Sequence, residues 1–237
     1  MEQSDLIKAV VEFVVLIFSL SVHECSHAWT ASRLGDQTAR LEGRITLNPM
    51  YHVDPIGTLL FPAIVIFGPF IGFNMFGGML VGWAKPTPVI TRNFRKIVRD
   101  DNLTTLAGPA SNLLLVLVAF IVLLIDAKMI PDGRNVVIGS FFATLRPIEG
   151  ITPQPLVLLC ALVILINLML CIFNLLPIPP LDGSRLVRNM LPYNAVQTYD
   201  RIPFWVSYLL MIFVGGTIIR AFVTPAIGLV IWGLMHL

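Results

Sequence analysis

The stretch that decides the fold is residues 6–34, LIKAVVEFVVLIFSLSVHECSHAWTASRL, an apolar run that carries a His-Glu-x-x-His motif near its end. A run of this length can cross a bilayer as one helix, for which about 20 residues suffice. On that helix His23 and His27 lie on one face, because they are four residues apart. Glu24 is next to His23 and can reach a water held between the two rings. Two nitrogen ligands beside a carboxylate that acts as a general base are typical of zinc hydrolases.

The composition indicates an integral membrane protein. Charged residues make up 13% of the chain and apolar residues 56%, whereas a soluble domain carries about 25% charged residues. The apolar runs are long and continuous, so we expect an all-α polytopic membrane protein and not a β-barrel. A net charge of +2 is too small to indicate a nucleic-acid partner. No basic region with a small-residue cleavage site precedes the first helix, so we expect that helix to be retained.

We interpret residues 1–237 as a single membrane domain with about five to six transmembrane or re-entrant segments. Core helices are predicted at about 6–34, 103–125 and 155–176. Prolines and glycines interrupt the apolar part of 48–88, which predicts a re-entrant insertion. The final stretch, 204–237, is predicted as a helical hairpin bent near Thr224-Pro225.

Residues 39–47, between the first helix and this insertion, alternate between polar and apolar side chains. Such alternation is typical of strands. We therefore predict a small membrane-associated β element at 39–47.

The distribution of positive charge predicts the orientation. If the first helix begins outside, eleven of the 16 Lys and Arg residues fall on the inner side and four on the outer side, with Arg220 near the last bend. This bias follows the positive-inside rule. It predicts a multi-pass protein of the cell membrane whose His-Glu-x-x-His motif lies near the cytoplasmic face.

Asp182 is the best candidate for a third metal ligand. It follows an apolar helix at the inner side, where an unpaired charge would be costly. Two histidines and one carboxylate form an established catalytic zinc set with a fourth position for water. Pro177, Pro179 and Pro180 would break the helix and direct Asp182. An ordinary Asp-Gly turn at a helix end is the alternative interpretation.

The chain resembles the site-2 protease family of intramembrane zinc metalloproteases, in a minimal prokaryotic form without a PDZ or nucleotide-sensing domain. The resemblance rests on three motifs in the expected order: His23-Glu24-x-x-His27, Gly108-Pro109-x-x-Asn112, and Asn174-x-x-Pro177-x-Pro179-x-x-Asp182-Gly183. The family's members cleave transmembrane segments of other membrane proteins. The resemblance therefore implies protein substrates in the lipid bilayer, and a homo-oligomer is left open.

The resemblance also implies a role for each motif residue. His23, His27 and Asp182 would bind one Zn²⁺ per chain, and Glu24 would activate a water. Asn174 would hold the substrate or stabilise the oxyanion, and Asn112 would belong to a structural or substrate-contacting motif.

His52 and the function as a whole leave alternatives open. His52 is interpreted as a surface residue, as an oxyanion donor in the catalytic set, or as a metal ligand. Intramembrane His and Asp also build ion pathways, so a metal-ion transporter or channel is the competing function. A transport site needs no general base, and Glu24 therefore favours the protease. An inactive scaffold is a further alternative, against which the intact ligand set argues.

Overall fold

The chain folds mainly into helices. The structure is a computed structural model and describes residues 3–73, 84–146, 148 and 151–236. Its α-helices are α1 (Gln3–Leu34), α2 (Thr38–Leu41), α3 (Phe61–Phe67), α4 (Ile97–Met129), α5 (Gly133–Leu145), α6 (Pro155–Asn174), α7 (Asp182–Met190), α8 (Tyr193–Tyr199) and α9 (Phe204–Met235). Within these ranges α1, α4 and α6 are long and apolar enough to cross a membrane. The prediction of an all-α polytopic membrane protein is confirmed.

Helices α1, α4 and α6 pack together and form the centre of the molecule. Val116 and Leu123 of α4 meet Val157 and Ile164 of α6 in one buried apolar cluster. A polar contact joins α1 to α6, where the Asn167 amide donates to the Ser19 hydroxyl over 2.9 Å. Hydrogen bonds of this kind link helices in apolar surroundings, where no water competes for them.

The predicted core helices are present, with boundaries that differ by a few residues. Helix α4 begins at Ile97, six residues before the predicted start. The Asp100 carboxylate accepts the backbone N–H of Lys96 over 2.8 Å, which satisfies one of the free amides at the helix start. Helix α5 lies between the second and third predicted core helices, where no helix was predicted. Its Val137 and Phe141 are buried against the core, four residues apart on one face.

The predicted β element at 39–47 is wrong. Residues 38–41 form the short helix α2, and the described residues that follow it form turns. The Asp36 carboxylate accepts the backbone N–H and the hydroxyl of Thr38, which favours a helical turn. Gly43 then reverses the chain in the left-handed region, at φ +72°. Leu41 is exposed, so the alternating apolar residues do not share a buried face.

The predicted C-terminal hairpin is also wrong, because α9 is a single helix with Pro225 inside it. A proline removes one intrahelical hydrogen bond, and a helix in apolar surroundings tolerates that loss when its neighbours support it. Helix α9 packs against α5 and α6. Leu234, near its end, is buried in the core cluster.

The insertion at 48–88 begins with irregular helical turns. A π-helical turn at Pro55–Leu60 leads into α3, and a 3-10 turn follows at Gly68–Ile71. Asp54 caps this unit by accepting the backbone N–H groups of Ile56 and Gly57. The glycine pair at 77–78, on which the re-entrant prediction partly depends, lies outside the described residues. The re-entrant path stays a prediction.

Candidate active site

His23, His27 and Asp182 lie together at the C-terminal part of α1. The Nε2 atoms of the two histidines are 3.1 Å apart. The Asp182 Oδ2 atom lies 3.2 Å from Nε2 of His23 and 3.3 Å from Nε2 of His27. The two rings are buried. Helix α1 supplies both histidines from one face, and Asp182 is the first residue of α7.

The loop between α6 and α7 brings Asp182 to the histidines. Helix α6 ends at Asn174, and the prolines of the loop turn the chain back, so that α7 starts beside α1. A Cβ atom at Gly183 would collide with the carbonyl of Leu175. The glycine of the Asp-Gly pair therefore allows the start of α7 to lie against the end of α6.

Helix α4 orients the ring of His27. The Nδ1 atom of His27 lies 2.7 Å from the carbonyl oxygen of Thr104. Because a carbonyl only accepts, Nδ1 carries the proton, and Nε2 points its lone pair at Asp182 and His23. Metal-bound histidines commonly donate their other ring N–H to a carbonyl in this way.

Gly108 allows α4 to approach the two rings. A Cβ atom at this position would lie 2.6 Å from Nε2 of His23 and would also collide with Nε2 of His27. The closest part of α4 to the site is therefore its backbone. The Gly-Pro-x-x-Asn pattern alone does not indicate that Gly108 lies against the two histidines.

The three side chains fit a zinc ion. Their ligand atoms form a triangle with sides of 3.1, 3.2 and 3.3 Å. A tetrahedral zinc with ligand distances of about 2.0–2.1 Å separates its ligands by about 3.3 Å. Nε2 of His27 and Oδ2 of Asp182 both present lone pairs, so their close approach requires a cation or a proton between them. Among the described residues these three are the cluster that could hold a metal ion.

Asp182 is ionised in this arrangement. Burial alone would raise the pKa of its carboxyl, but the imidazoles of His23 and His27, when they carry on Nε2 the proton that a metal ion would replace, outweigh burial and lower the pKa well below its usual value. An ionised carboxylate is the form that binds a metal ion.

Glu24 lies beside the triangle and is held by a residue that the sequence did not single out. Its Oε2 atom accepts the backbone N–H of Thr87 over 3.0 Å and the Thr87 hydroxyl over 2.7 Å. Glu24 itself is largely buried. The placement of Thr87 between Pro86 and Pro88 is typical of a stiff loop, but it does not identify the partner of Thr87.

Asn174 and His52 do not contact the triangle through any hydrogen bond of the described residues. The Asn174 amide donates to the carbonyl of Leu170 over 2.9 Å, at the end of α6. The His52 ring is buried, and its Nε2 donates to the carbonyl of Thr46 over 2.8 Å. His52 is therefore not one of the described metal-site residues and not a surface residue.

Asn112 is fully buried, and neither polar atom of its amide has a partner among the described residues. It lies one turn after Gly108 on the same face of α4. An unpaired buried amide is unfavourable by about 1–3 kcal/mol, so this position is not explained by packing alone.

The chain matches known proteins over most of its length. Residues 11–214 match Peptidase family M50. A Bacillus subtilis (strain 168) protein named "Putative zinc metalloprotease YwhC" is 34% identical over 94% of this chain and 84% of its own length. A Mycolicibacterium smegmatis protein named "Putative zinc metalloprotease Rip2" is 32% identical over 70% of this chain, which spans about half of that relative, 52%. No solved structure matches the chain.

Proposed function

The chain belongs to peptidase family M50, the site-2 protease family, and from this premise we propose that it is an intramembrane zinc metalloprotease that cleaves transmembrane segments of other proteins. The observation that carries the proposal is the triangle of His23, His27 and Asp182 with Glu24 beside it. Its two histidines and Glu24 lie on α1, which is apolar enough to cross a membrane. Histidines and carboxylates in such helices usually have a function, because burying them is costly.

His23, His27 and Asp182 would hold one Zn²⁺ per chain. A zinc ion bound there supplies a Lewis acid that polarises the substrate carbonyl and acidifies a water molecule. With three protein ligands, the ion would have one ligand position left for water or substrate. Thr104 and Gly108 support the ligands, the first by fixing the tautomer of His27 and the second by giving the rings room.

Glu24 is the general base of the proposed reaction. Its Oε2 atom is engaged by Thr87, so Oε1 is the oxygen available to take a proton from the attacking water. The same oxygen returns the proton to the leaving amine as the peptide bond breaks. A partly dehydrated site favours these two proton transfers, because the charges involved interact more strongly where water is scarce.

Asn174 is the better of the two predicted oxyanion donors. One amide hydrogen of Asn174 bonds to Leu170, and the other is free to donate. His52 uses its Nε2 to donate to the carbonyl of Thr46, and within the described part of the chain it makes no hydrogen bond to the predicted ligands. We propose that Asn174 stabilises the oxyanion, and that Asn112, with its unpaired amide, contacts the substrate backbone.

The charge distribution supports a cytoplasmic position for the site. Eleven of the 16 Lys and Arg residues fall on the side that carries the site in the predicted topology. We propose a location in the cell membrane, with substrates that enter from the bilayer. A substrate helix must unwind locally, because its carbonyls are hydrogen-bonded within the helix.

Cleavage by the reconstituted protein tests the proposal. Wild type and Glu24→Gln are purified, their zinc content is measured, and each is incubated in vesicles with a panel of single-span transmembrane peptides. We expect both proteins to contain zinc and the wild type alone to cleave. Full cleavage by zinc-loaded Glu24→Gln contradicts the role of Glu24, and zinc flux into the vesicles without cleavage favours the transporter.

A further inference from the structure

Within the part of the chain that the structure describes, Thr87 is the residue of the loop at 84–93 that hydrogen-bonds to Glu24. The Thr87 backbone N–H and hydroxyl lie 3.0 and 2.7 Å from Oε2 of Glu24. The same hydroxyl lies 3.1 Å from the backbone carbonyl of Glu24. Thr87 thus meets both the side chain and the main chain of one residue in α1. The Oε1 atom of Glu24 has no hydrogen-bond partner among the described residues.

The loop is fixed on both sides of Thr87. On one side the Lys85 N–H donates to the carbonyl of His52 over 2.9 Å. On the other side the Ile90 N–H donates to the Asp36 carboxylate over 2.7 Å. Pro86 and Pro88 restrict the backbone immediately around Thr87. The position of Thr87 is therefore set by contacts that do not involve Glu24.

A buried arginine holds the first of these anchors. Arg44 donates to the carbonyl of Tyr51 over 2.6 Å and lies 3.5 Å from the carbonyl of Lys85. It is buried, which makes its hydrogen bonds hard to replace by water. The segment that carries His52 therefore supports the loop.

We propose that Thr87 is a positioning residue for the general base. It holds Oε2, so that the carboxylate cannot rotate freely and Oε1 faces the reacting water. A carboxylate with two equivalent free oxygens would spend part of its time in unproductive rotamers, and restricting it favours proton transfer. The inference rests on the proposed function, because it assigns Glu24 the role of base.

The amide of Thr87 offers a test that does not depend on activity. Pro86 and Pro88 have no backbone N–H, so Thr87 carries the sole exchangeable backbone amide between Lys85 and Val89. Hydrogen exchange followed by mass spectrometry can therefore read this one bond. We expect Glu24→Ala to speed exchange of the Thr87 amide about 10-fold or more, while the Ile90 amide, bound to Asp36, keeps its rate. An unchanged rate at Thr87 overturns the contact.

Kinetics of two matched variants test the positioning role. Thr87→Val keeps the shape and the backbone N–H but loses the hydroxyl, and Thr87→Ser restores the hydroxyl. We expect Thr87→Val to lower kcat about 10- to 100-fold with KM within about twofold and zinc content unchanged. Thr87→Ser should recover most of kcat, and Thr91→Val, at an exposed threonine of the same loop, should match the wild type.

The outcomes separate this inference from the proposed function. If the wild type cleaves and Thr87→Val cleaves equally well, the positioning role is overturned and the protease stands. If Thr87→Ser is as slow as Thr87→Val, the hydroxyl is not the cause and the role is likewise overturned. If the wild type cleaves no peptide, the proposed function fails and the positioning role with it, whereas the exchange result still reports the contact.

Discussion

Single residues decide whether two histidines and an aspartate can become one site. Gly108 is the clearest case, because the backbone of α4 occupies the space beside both rings and leaves no room for a side chain. The spacing of the His-Glu-x-x-His motif was enough to predict which two histidines share a face. The contribution of Gly108, Thr104 and Thr87 could not be predicted, because each acts on a residue more than 60 positions away in the chain.

Gly108→Ala should disrupt the site. The added methyl group would overlap the rings of His23 and His27, so we expect zinc content to fall at least about 10-fold at limiting zinc, as for other changes around metal ligands. Zinc is measured by elemental analysis of the purified protein. Gly139→Ala is the matched control, since a Cβ atom at Gly139 meets nothing within 4 Å. Equal zinc content in both variants would contradict the close approach of the α4 backbone at Gly108 to the two histidine rings.

At the scale of elements, the connection between α1 and the loop at 84–93 depends on Asp36. Its carboxylate accepts from Thr38, Ile90 and the Asn93 side chain, and it is fully buried. Burial alone would raise the pKa of Asp36, but these hydrogen bonds outweigh it and lower the pKa below its usual value. Local sequence suggested strands here, because the alternation at 39–47 does not reveal the hydrogen bonds that Asp36 accepts from Thr38.

Asp36→Asn should destabilise the protein near neutral pH. The wild type gains stability from a carboxylate whose pKa is lowered by folding, so this gain is present above the ordinary pKa of about 3.9 and is lost as pH falls below it. We expect the variant to unfold about 4–8 °C lower at pH 7. The difference should shrink below about pH 4.

Thermal unfolding in detergent across this pH range measures the effect of Asp36. Asp132→Asn, at an exposed aspartate before α5, is the control and should change little. A deficit of the Asp36 variant that stays constant from pH 7 to pH 3 would show that the charge of Asp36 is not the source of the stability.

At the scale of the whole molecule, the site joins helices that are distant in sequence. Helix α1 carries the histidines and Glu24, α4 packs against them, and α7 brings Asp182. The three apolar helices could be predicted from hydropathy, because a continuous run of about 20 apolar residues is typical of a helix that crosses a bilayer. The path of α7 could not, since it depends on a loop of prolines and on pairing with α4. The predicted hairpin at 204–237 was wrong because the sequence shows the helix-breaking Pro225 but not the neighbouring helices that support α9.

Asp101 of α4 should matter for metal binding although it is not a ligand. It forms an ion pair with Arg185 and accepts the Asn189 amide over 2.7 Å, and both partners lie on α7. Asp101→Ala would remove the contacts that hold α7 against α4, and Asp182 would no longer be held in place. We therefore expect zinc affinity to fall about 10-fold. Competition with a chromophoric chelator measures the affinity. Arg188→Gln, at a residue of α7 whose exposed ion pair is with Asp200 at the end of α8, should leave the affinity unchanged.

The central claim is that His23, His27 and Asp182 are the protein ligands of a catalytic zinc ion. X-ray absorption at the zinc edge of the purified wild-type protein tests it most directly. The claim predicts two imidazole nitrogens with oxygen ligands at about 2.0–2.1 Å and no sulfur at about 2.3 Å. A sulfur ligand, or a third imidazole, which would indicate His52, would contradict it.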